Sequence, residues 1–434
     1  MVDIALPNSF WKLNAYAFLI LVLVGSWFAY PLVFGLSHPM QFKGIMLILL
    51  GLSLLFNLLS AVPARRVEFL LEPQWLIPLV FYLIFLLCYT LSTVINSNIQ
   101  SLFILLSLYI KLGFVCFLLL FLPWRLNIMT FNLYTRFIFL LSVMAIILFF
   151  LLSKGLVSPL GTISFPSASG TAILDNYGLG LIYRPFTFGG YIITRLQSFA
   201  DEPGSFAHGL LPALFWAFFH KRKLMVLVFT LSLLLTMSVG GIIATGFVAI
   251  LFAYKKGVGS FLKLFGLLVV IAVLLFSAMP SWISKGVSAY LATKYNIEDP
   301  TGSHIRGTSM GGRLKGAIAT FELLQENPWG YGAGQAHRAA GRAVAVGWLV
   351  ILIEAGLVGG LAYFLAFSWL FFLAIKIFLR ENNKIKLFVC ASYIASYIMS
   401  AQRAQIDASF WLLWVITSLL MLGVYDKECP NNCV

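Results

Sequence analysis

The feature that most constrains this sequence is the recurrence of apolar runs long enough to cross a lipid bilayer. A transmembrane helix needs about 17 to 25 predominantly apolar residues. We count twelve such runs, at approximately 14–36, 44–62, 75–95, 100–122, 134–153, 204–220, 223–238, 239–254, 261–280, 356–379, 387–405 and 409–424. The sequence therefore predicts an all-α polytopic membrane protein with about twelve transmembrane helices.

Composition supports this fold class. Of 434 residues, 61% are hydrophobic and only 10% are charged, whereas soluble domains carry roughly 25% charged residues. The first apolar run is long enough to span, so we expect it to be a retained helix and not a removed signal. A net charge of +14 would suggest nucleic acid as the partner of a soluble protein. Here the placement of Lys and Arg on one side of the membrane explains much of the positive charge, so we exclude nucleic acid as a partner.

The distribution of Lys and Arg predicts the orientation. Alternate connections hold the cation-rich stretches "PARRVEF", "HKRK", "YKKG" and "RENNKIK", whereas short connections on the other side, such as "NSNIQ", carry almost none. Cytoplasmic loops are the cation-rich ones. We therefore expect both termini in the cytoplasm.

With this orientation the chain divides into five segments. Residues 1–153 hold helices one to five, 154–203 form a first extracytoplasmic loop, and 204–280 hold helices six to nine. Residues 281–355 form a large extracytoplasmic loop, and 356–434 hold the last three helices and a cytoplasmic tail. The large loop carries seven cations, which are Lys285, Lys294, Arg306, Arg313, Lys315, Arg338 and Arg342. Before its apolar stretch it has four acids, which are Glu298, Asp299, Glu322 and Glu326. This excess indicates an anionic partner.

The large loop contains a segment with helical periodicity, "GTSMGGRLKGAIATFELLQENPWGYGAG". Thr308 or Ser309 is suited to begin a helix, and Asn327-Pro328 ends it. The apolar stripe comprises Leu314, Ala317, Ile318, Phe321 and Leu324. We predict an amphipathic helix on the outer leaflet, with Arg313 in its first turn. The alternative is a solvated cationic face near anionic headgroups.

A long apolar stretch from Ala345 to Phe378 follows, and it exceeds one straight crossing. We divide it into a short re-entrant helix that ends near Glu354-Ala355-Gly356 and a spanning helix that begins at "GLVGG". Glu354 then lies at the break. We favour a role as a buried polar anchor over a role in a binding site.

Three pieces of this sequence resemble the O-antigen polymerase and ligase superfamily, which includes the Wzy-type polysaccharide polymerases. These pieces are Arg313 with "ENPWGYGAG", then "EAGLVGGL", and earlier "RLQSFADEPGSFA", which begins at Arg195. The motifs cover about a third of the chain. The resemblance implies a GT-C-like membrane glycosyltransferase that needs no metal or cofactor. It further implies that outer-loop arginines, here Arg195 and Arg313, engage a pyrophosphate.

The resemblance also implies the substrates and partners. Donor and acceptor would be polyprenyl-pyrophosphate-linked oligosaccharides, joined into O-antigen, capsule or exopolysaccharide at the outer face of a bacterial inner membrane. Membrane lipid, a chain-length regulator and a flippase are the expected partners. Ligases of this group typically carry a His-Asn or His-Ser pair about nine residues before the acid of the second motif. Ala345 and Val346 stand there, and His337 lies earlier, which favours a polymerase.

The reaction requires neutralisation of charge on the leaving pyrophosphate and removal of a proton from the attacking hydroxyl. We assign catalytic roles to Arg313, Arg195 and Glu202. The predicted substrate-binding residues are Arg306, Arg338, Arg342, His337, Lys111 and Asp201. Asp201 and Glu202 precede the sixth span, where acids can also cap a helix. No Asp-x-Asp pair of the kind that binds a metal with nucleotide sugars occurs.

Lys111 lies in the middle of the fourth span, where an ion is a functional candidate. It could meet a lipid phosphate or pair with a carboxylate such as Glu354. A transporter or flippase could instead use Lys111, Glu354 and Arg403 as a pathway. Transporters commonly show paired repeats, and no matching pattern relates residues 14–220 to 223–424. The sequence is also compatible with an O-antigen ligase or with a non-enzymatic scaffold for glycan assembly.

Overall fold

The computed structural model describes much of the chain in separate stretches. These are residues 8–25, 73–96, 99–153, 155–167, 170–177, 182–183, 186–188, 191–193, 195–198, 200, 203–257, 259, 262, 310–341, 344, 346–400 and 410–422. The described helices before the first long loop are α1 (Asn8–Gly25), α2 (Pro73–Ile95), α3 (Ile99–Phe121) and α4 (Trp124–Ser153). After it come α5 (Pro203–Phe219), α6 (Lys223–Leu235) and α7 (Val239–Lys256). The later helices are α8 (Met310–Glu326), α9 (Ala336–Ala339), α10 (Gly347–Arg380), α11 (Lys384–Ser400) and α12 (Phe410–Leu420).

The predicted helical membrane architecture is confirmed in its main feature. Within the described residues, α2, α3, α4, α7 and α10 contain the five segments that are long and apolar enough to cross a membrane. The helices α1 and α6 contain shorter apolar segments. The predicted span at 44–62 lies outside the described residues, as does the span at 261–280 apart from Leu262, so the total of twelve stays a prediction.

The first long loop contains strands, which the prediction of an all-α fold did not include. An antiparallel sheet is formed by β1 (Gly161–Ser167), β2 (Gly170–Asn176) and β3 (Ile182–Tyr183). A separate hairpin is formed by β4 (Phe186–Phe188) and β5 (Tyr191–Ile193). Thr, Ile and Phe recur in these short segments, and such residues favour strands. The strands are shorter than the transmembrane runs and are therefore easily overlooked in a hydropathy pattern.

One part of the core is built on a buried asparagine of α4. The indole Nε1 of Trp414 donates to Asn127 Oδ1 at 2.6 Å, and Asn127 Nδ2 donates to Ser418 Oγ at 3.1 Å. The ring of Phe131 stacks on Trp414 with centroids 3.8 Å apart. Polar side chains that bridge helices are a common means of association in membranes. This cluster joins α4 to α12.

The helices α2 and α10 lie in close contact because α10 presents Gly359 to α2. A Cβ at Gly359 would lie 2.8 Å from the Cβ of Cys88, which is closer than two carbon atoms tolerate. Phe85 and Tyr363 pack edge to face with centroids 4.8 Å apart. Small residues allow two backbones to approach in this way in membrane helix pairs. The "GLVGG" stretch therefore determines how closely α10 approaches α2.

We predict that Gly359→Leu destabilises the protein, because the added side chain must push α10 away from α2. Overpacking of this kind costs about 1–3 kcal/mol. Gly113→Leu on α3 is the matched control, since a Cβ at Gly113 meets no atom within 4 Å. Thermal unfolding of detergent-purified protein measures the difference. Equal midpoints for the two variants would contradict the close α2–α10 contact.

Candidate functional site

The predicted break in the long apolar stretch is present in α10. Gly356 has φ 74° and ψ −178°, so the helix is interrupted just after Glu354. A positive φ is readily adopted only by glycine. The interruption coincides with the predicted junction of the re-entrant and spanning segments. It frees backbone groups that need partners elsewhere in the protein.

Those partners come from the loop that follows α8. The N–H of Gly332 donates to the carbonyl of Glu354 at 3.0 Å, and the N–H of Leu357 donates to the carbonyl of Pro328 at 2.9 Å. The loop thus bonds to both sides of the break. The two sequence motifs, "ENPWGYGAG" and "EAGLVGGL", are hydrogen-bonded to each other in space.

The two backbones approach so closely that glycine is required in both. A Cβ at Gly330 would collide with the backbone of Gly356, and a Cβ at Gly356 would collide with the carbonyl of Pro328. Gly330 has φ 89°, which also disfavours any other residue. We call this contact of residues 327–335 with residues 353–357 the interlock.

Glu354, within the interlock, is buried, with 4% of its surface exposed. Its carboxylate accepts a hydrogen bond from Tyr89 Oη at 2.7 Å. The backbone N–H groups of Gly334 and Ala336 also bond to it. A buried carboxylate without such donors would be strongly destabilising. Glu354 therefore joins α2, the loop and α10, as expected for a buried polar anchor.

A polar stripe on α2 completes this anchor. It comprises Tyr89, Ser92, Thr93 and Asn96, which share one face of the helix. Ser92 Oγ donates to the carbonyl of Glu354 at 2.8 Å, and Asn96 Nδ2 donates to the carbonyl of Gly330 at 3.0 Å. None of these four residues was among the predicted site residues. Their spacing of i, i+3, i+4 and i+7 inside an apolar run was the available signal.

His337 lies at the end of the same loop, in α9. Its Nδ1 accepts a hydrogen bond from the N–H of Val344 at 3.0 Å. An accepting Nδ1 assigns the proton of the neutral ring to Nε2. Burial lowers the pKa of His337, which further favours the neutral ring. The side chain is thus a hydrogen-bond donor through Nε2, and the neighbouring Arg338 is exposed.

Lys111 lies on α3, beyond the residues of that helix that contact this loop. Near the start of α3, Ser101 Oγ accepts from Gln335 Nε2 at 2.8 Å, and Ile104 is next to Gly334. Lys111 is seven residues after Ile104, on the same helix face and about 10 Å further along the axis. It is half-buried. Within the described residues it forms no ion pair with Glu354, whose carboxylate is bonded to Tyr89 instead.

Arg195 lies apart from these contacts, at the turn between α6 and α7. Its Nε donates to the carbonyl of Thr236 at 2.9 Å, and one terminal nitrogen donates to the carbonyl of Met237 at 3.3 Å. The side chain is 6% exposed. Carbonyls at the end of a helix need donors, and a cation there is favourable. In this geometry Arg195 stabilises the end of α6.

The remaining predicted site residues are only partly described. Arg313 lies in the first turn of α8, as predicted, but its side chain is outside the described part of the structure. Asp201, Glu202, Arg306 and Arg342 lie outside the described residues altogether, as does Arg403. The structure brings together Glu354 and the loop that carries His337 and Arg338.

The predicted amphipathic helix is present as α8, which ends at Glu326 before Asn327-Pro328. Its buried face differs from the predicted apolar stripe. Thr320 and Leu324 are buried, whereas Leu314, Ile318 and Phe321 are exposed. The inner face instead uses Gly316 and Thr320, small residues whose hydrogen bond within the helix satisfies the hydroxyl. Most of the apolar stripe is therefore directed outward.

We predict that Tyr89→Phe lowers stability by about 1–3 kcal/mol, because it leaves the buried carboxylate of Glu354 one donor short. Tyr109→Phe is the control, since the hydroxyl of Tyr109 bonds Thr90 at an exposed position. Thermal unfolding in detergent compares the two variants. A Tyr89→Phe protein as stable as the Tyr109→Phe protein would contradict the anchor.

We also predict a pH-dependent contribution from His337. Burial lowers the pKa of His337 in the folded protein. The contribution of its neutral ring to folding stability is therefore complete above the unfolded pKa of about 6.5. That contribution is lost as the pH falls through the folded value. His337→Gln keeps an acceptor for Val344 and does not titrate. Between pH 7.5 and pH 5, the unfolding midpoint should fall further in the unmodified protein than in this variant. Identical decreases would contradict the assignment.

The chain matches no known protein-family model and has no significant match among curated proteins.

Proposed function

We propose that this protein is a membrane glycosyltransferase that polymerises polyprenyl-pyrophosphate-linked oligosaccharide repeat units into a surface polysaccharide. One observation carries the proposal. The two motifs that resemble those of O-antigen polymerases are separate in sequence, yet they form the interlock around the buried Glu354. A close backbone contact of this kind is suited to fix the position of the loop that bears His337 and Arg338.

The proposed reaction is a substitution at the anomeric carbon of the donor. A hydroxyl oxygen of the acceptor sugar forms the new carbon–oxygen bond. The bond to the pyrophosphate breaks, and the lipid pyrophosphate leaves with the electron pair. The hydroxyl proton passes to a base, for which Glu202 and Asp201 are the candidates. Arginines neutralise the charge that develops on the pyrophosphate.

The described cations support this assignment of roles. Arg338 is exposed beside the interlock, and the Nε2–H of His337 is a neutral donor next to it. Arg338, with Arg313, Arg306 and Arg342 of the same loop, would bind the phosphates. Glu354 would position the loop and would not act as the base, since its carboxylate already accepts bonds from Tyr89 and from two backbone N–H groups.

The outward stripe of α8 supports a membrane-surface location for this loop. Leu314, Ile318 and Phe321 are more than half exposed, and Trp329 is 74% exposed just beyond the helix. Exposed apolar and aromatic side chains along one helix face are typical of helices at a bilayer surface. A substrate attached to a polyprenyl lipid presents its pyrophosphate at that depth. The loop would therefore meet the reacting bond without drawing the lipid out of the membrane.

We predict that Arg313→Ala and Arg338→Ala each reduce polymerisation about ten- to a hundredfold. A charge-assisted contact contributes about 1.5–3 kcal/mol, and about 1.4 kcal/mol corresponds to a tenfold change in rate. The variants are expressed in the host after deletion of the gene, and surface glycans are separated on a gel. Lys223→Ala, an exposed cation on the predicted cytoplasmic side, is the control.

Loss of long chains with persistence of single-unit decoration, at unchanged protein levels, is the expected result. Loss of all decoration would indicate a ligase or a flippase instead. Normal chain-length ladders in both variants would remove the phosphate-binding assignment. Arg195→Ala belongs in the same experiment with Arg195→Lys beside it, because Arg195 also stabilises the end of α6.

A further inference from the structure

A groove lies between α5, α6 and α7, away from the interlock. Its volume is about 640 Å³, which falls in the range of small-molecule binding sites. Its walls are almost entirely apolar. They include Leu214 and Phe218 of α5, Val226 and Leu234 of α6, and Ile242 and Phe252 of α7. Phe218, Leu234 and Ile242 are also partly exposed, so the groove opens at the surface of the helix bundle.

The groove has the length of a lipid chain. Its lining on α7 extends from Ile242 to Lys256, which is about 20 Å along the helix axis. One leaflet of the hydrocarbon core is about 15 Å thick. Gly246 also lines the groove, and a Cβ there would meet no atom within 4 Å. Glycine thus keeps open a channel that a larger side chain would fill.

One end of the groove is marked by a cation. Lys256 lines the groove and lies 5.7 Å from the ring centroid of Phe252. Its neighbour Lys255 instead donates to the carbonyls of Phe378 and Glu381. Further cations lie at the adjoining ends of α5, α6 and α11, namely Lys221, Arg222, Lys223 and Lys384. These stretches are the ones that the distribution of charge predicts to be cytoplasmic.

We propose that the groove binds one acyl chain of an anionic phospholipid, with Lys256 contacting its phosphate. The apolar walls remove the chain from contact with neighbouring lipids, and the cation selects the charge of the headgroup. Anionic lipids of the cytoplasmic leaflet attract basic residues in this way. The site is separate from the interlock, and the proposal does not depend on the proposed function.

The test uses the full-length protein, stripped of lipid in detergent. It is titrated with phosphatidylglycerol or with phosphatidylcholine of the same acyl chains, and bound lipid is counted by native mass spectrometry. We expect tighter binding of phosphatidylglycerol and an affinity about fivefold lower in Lys256→Ala. Gly246→Leu should remove the tight site by filling the groove. Lys376→Ala and Gly113→Leu are the matched controls, and both should leave binding unchanged.

Any different outcome overturns the proposal. Equal binding of the two lipids would show that the headgroup is not recognised. An unchanged affinity in Lys256→Ala would remove the phosphate contact, and this exposed substitution stays informative if Gly246→Leu folds poorly. Tight binding that survives in a folded Gly246→Leu protein would place the lipid elsewhere. Displacement of phosphatidylglycerol by an equal concentration of a polyprenyl phosphate would assign the groove to the carrier lipid.

Discussion

The rest of the structure around the candidate site depends on how an interrupted helix satisfies its backbone. When α10 breaks at Gly356, carbonyl and N–H groups lose their partners within the helix. In a membrane such groups need partners from the protein, because lipid supplies none. The loop after α8 provides them through Gly332 and Pro328. The break and the loop are therefore two halves of one hydrogen-bonded unit, and neither is satisfied without the other.

Glu354 restricts this hydrogen-bonded unit to one arrangement. A carboxylate at 4% exposure tolerates few arrangements, and here it accepts bonds from α2 through Tyr89 and from the loop through two backbone N–H groups. Three distant segments of the chain are thereby held in one register. The glycines of α10 reinforce this arrangement, since Gly359 allows α2 to approach closely enough for its polar stripe to reach the break.

In the proposed function, this arrangement would separate positioning from chemistry. Glu354 and the stripe on α2 are buried and bonded, whereas Arg338 is exposed at the edge of the same loop and His337 presents a neutral donor. A rigid support below and exposed charges above would suit the recognition of a pyrophosphate on a lipid carrier. The apolar groove beside α7 belongs to a different region, where we propose that it binds the acyl chain of an anionic phospholipid. There Lys256 lies at one end of the groove.

The sequence by itself determined the membrane class, the break near Gly356 and the end of α8 at Asn327-Pro328, because these follow from local rules of hydropathy, glycine conformation and proline. It did not predict the strands of the first loop, whose short alternation is weak beside the long apolar runs. Only the tertiary structure decided that the two motifs meet, that Tyr89 donates to Glu354, and that Arg195 is bonded to the end of α6. The physical reason is that these hydrogen bonds join residues from 22 to 265 positions apart, and no local pattern specifies which distant donor completes a buried acceptor.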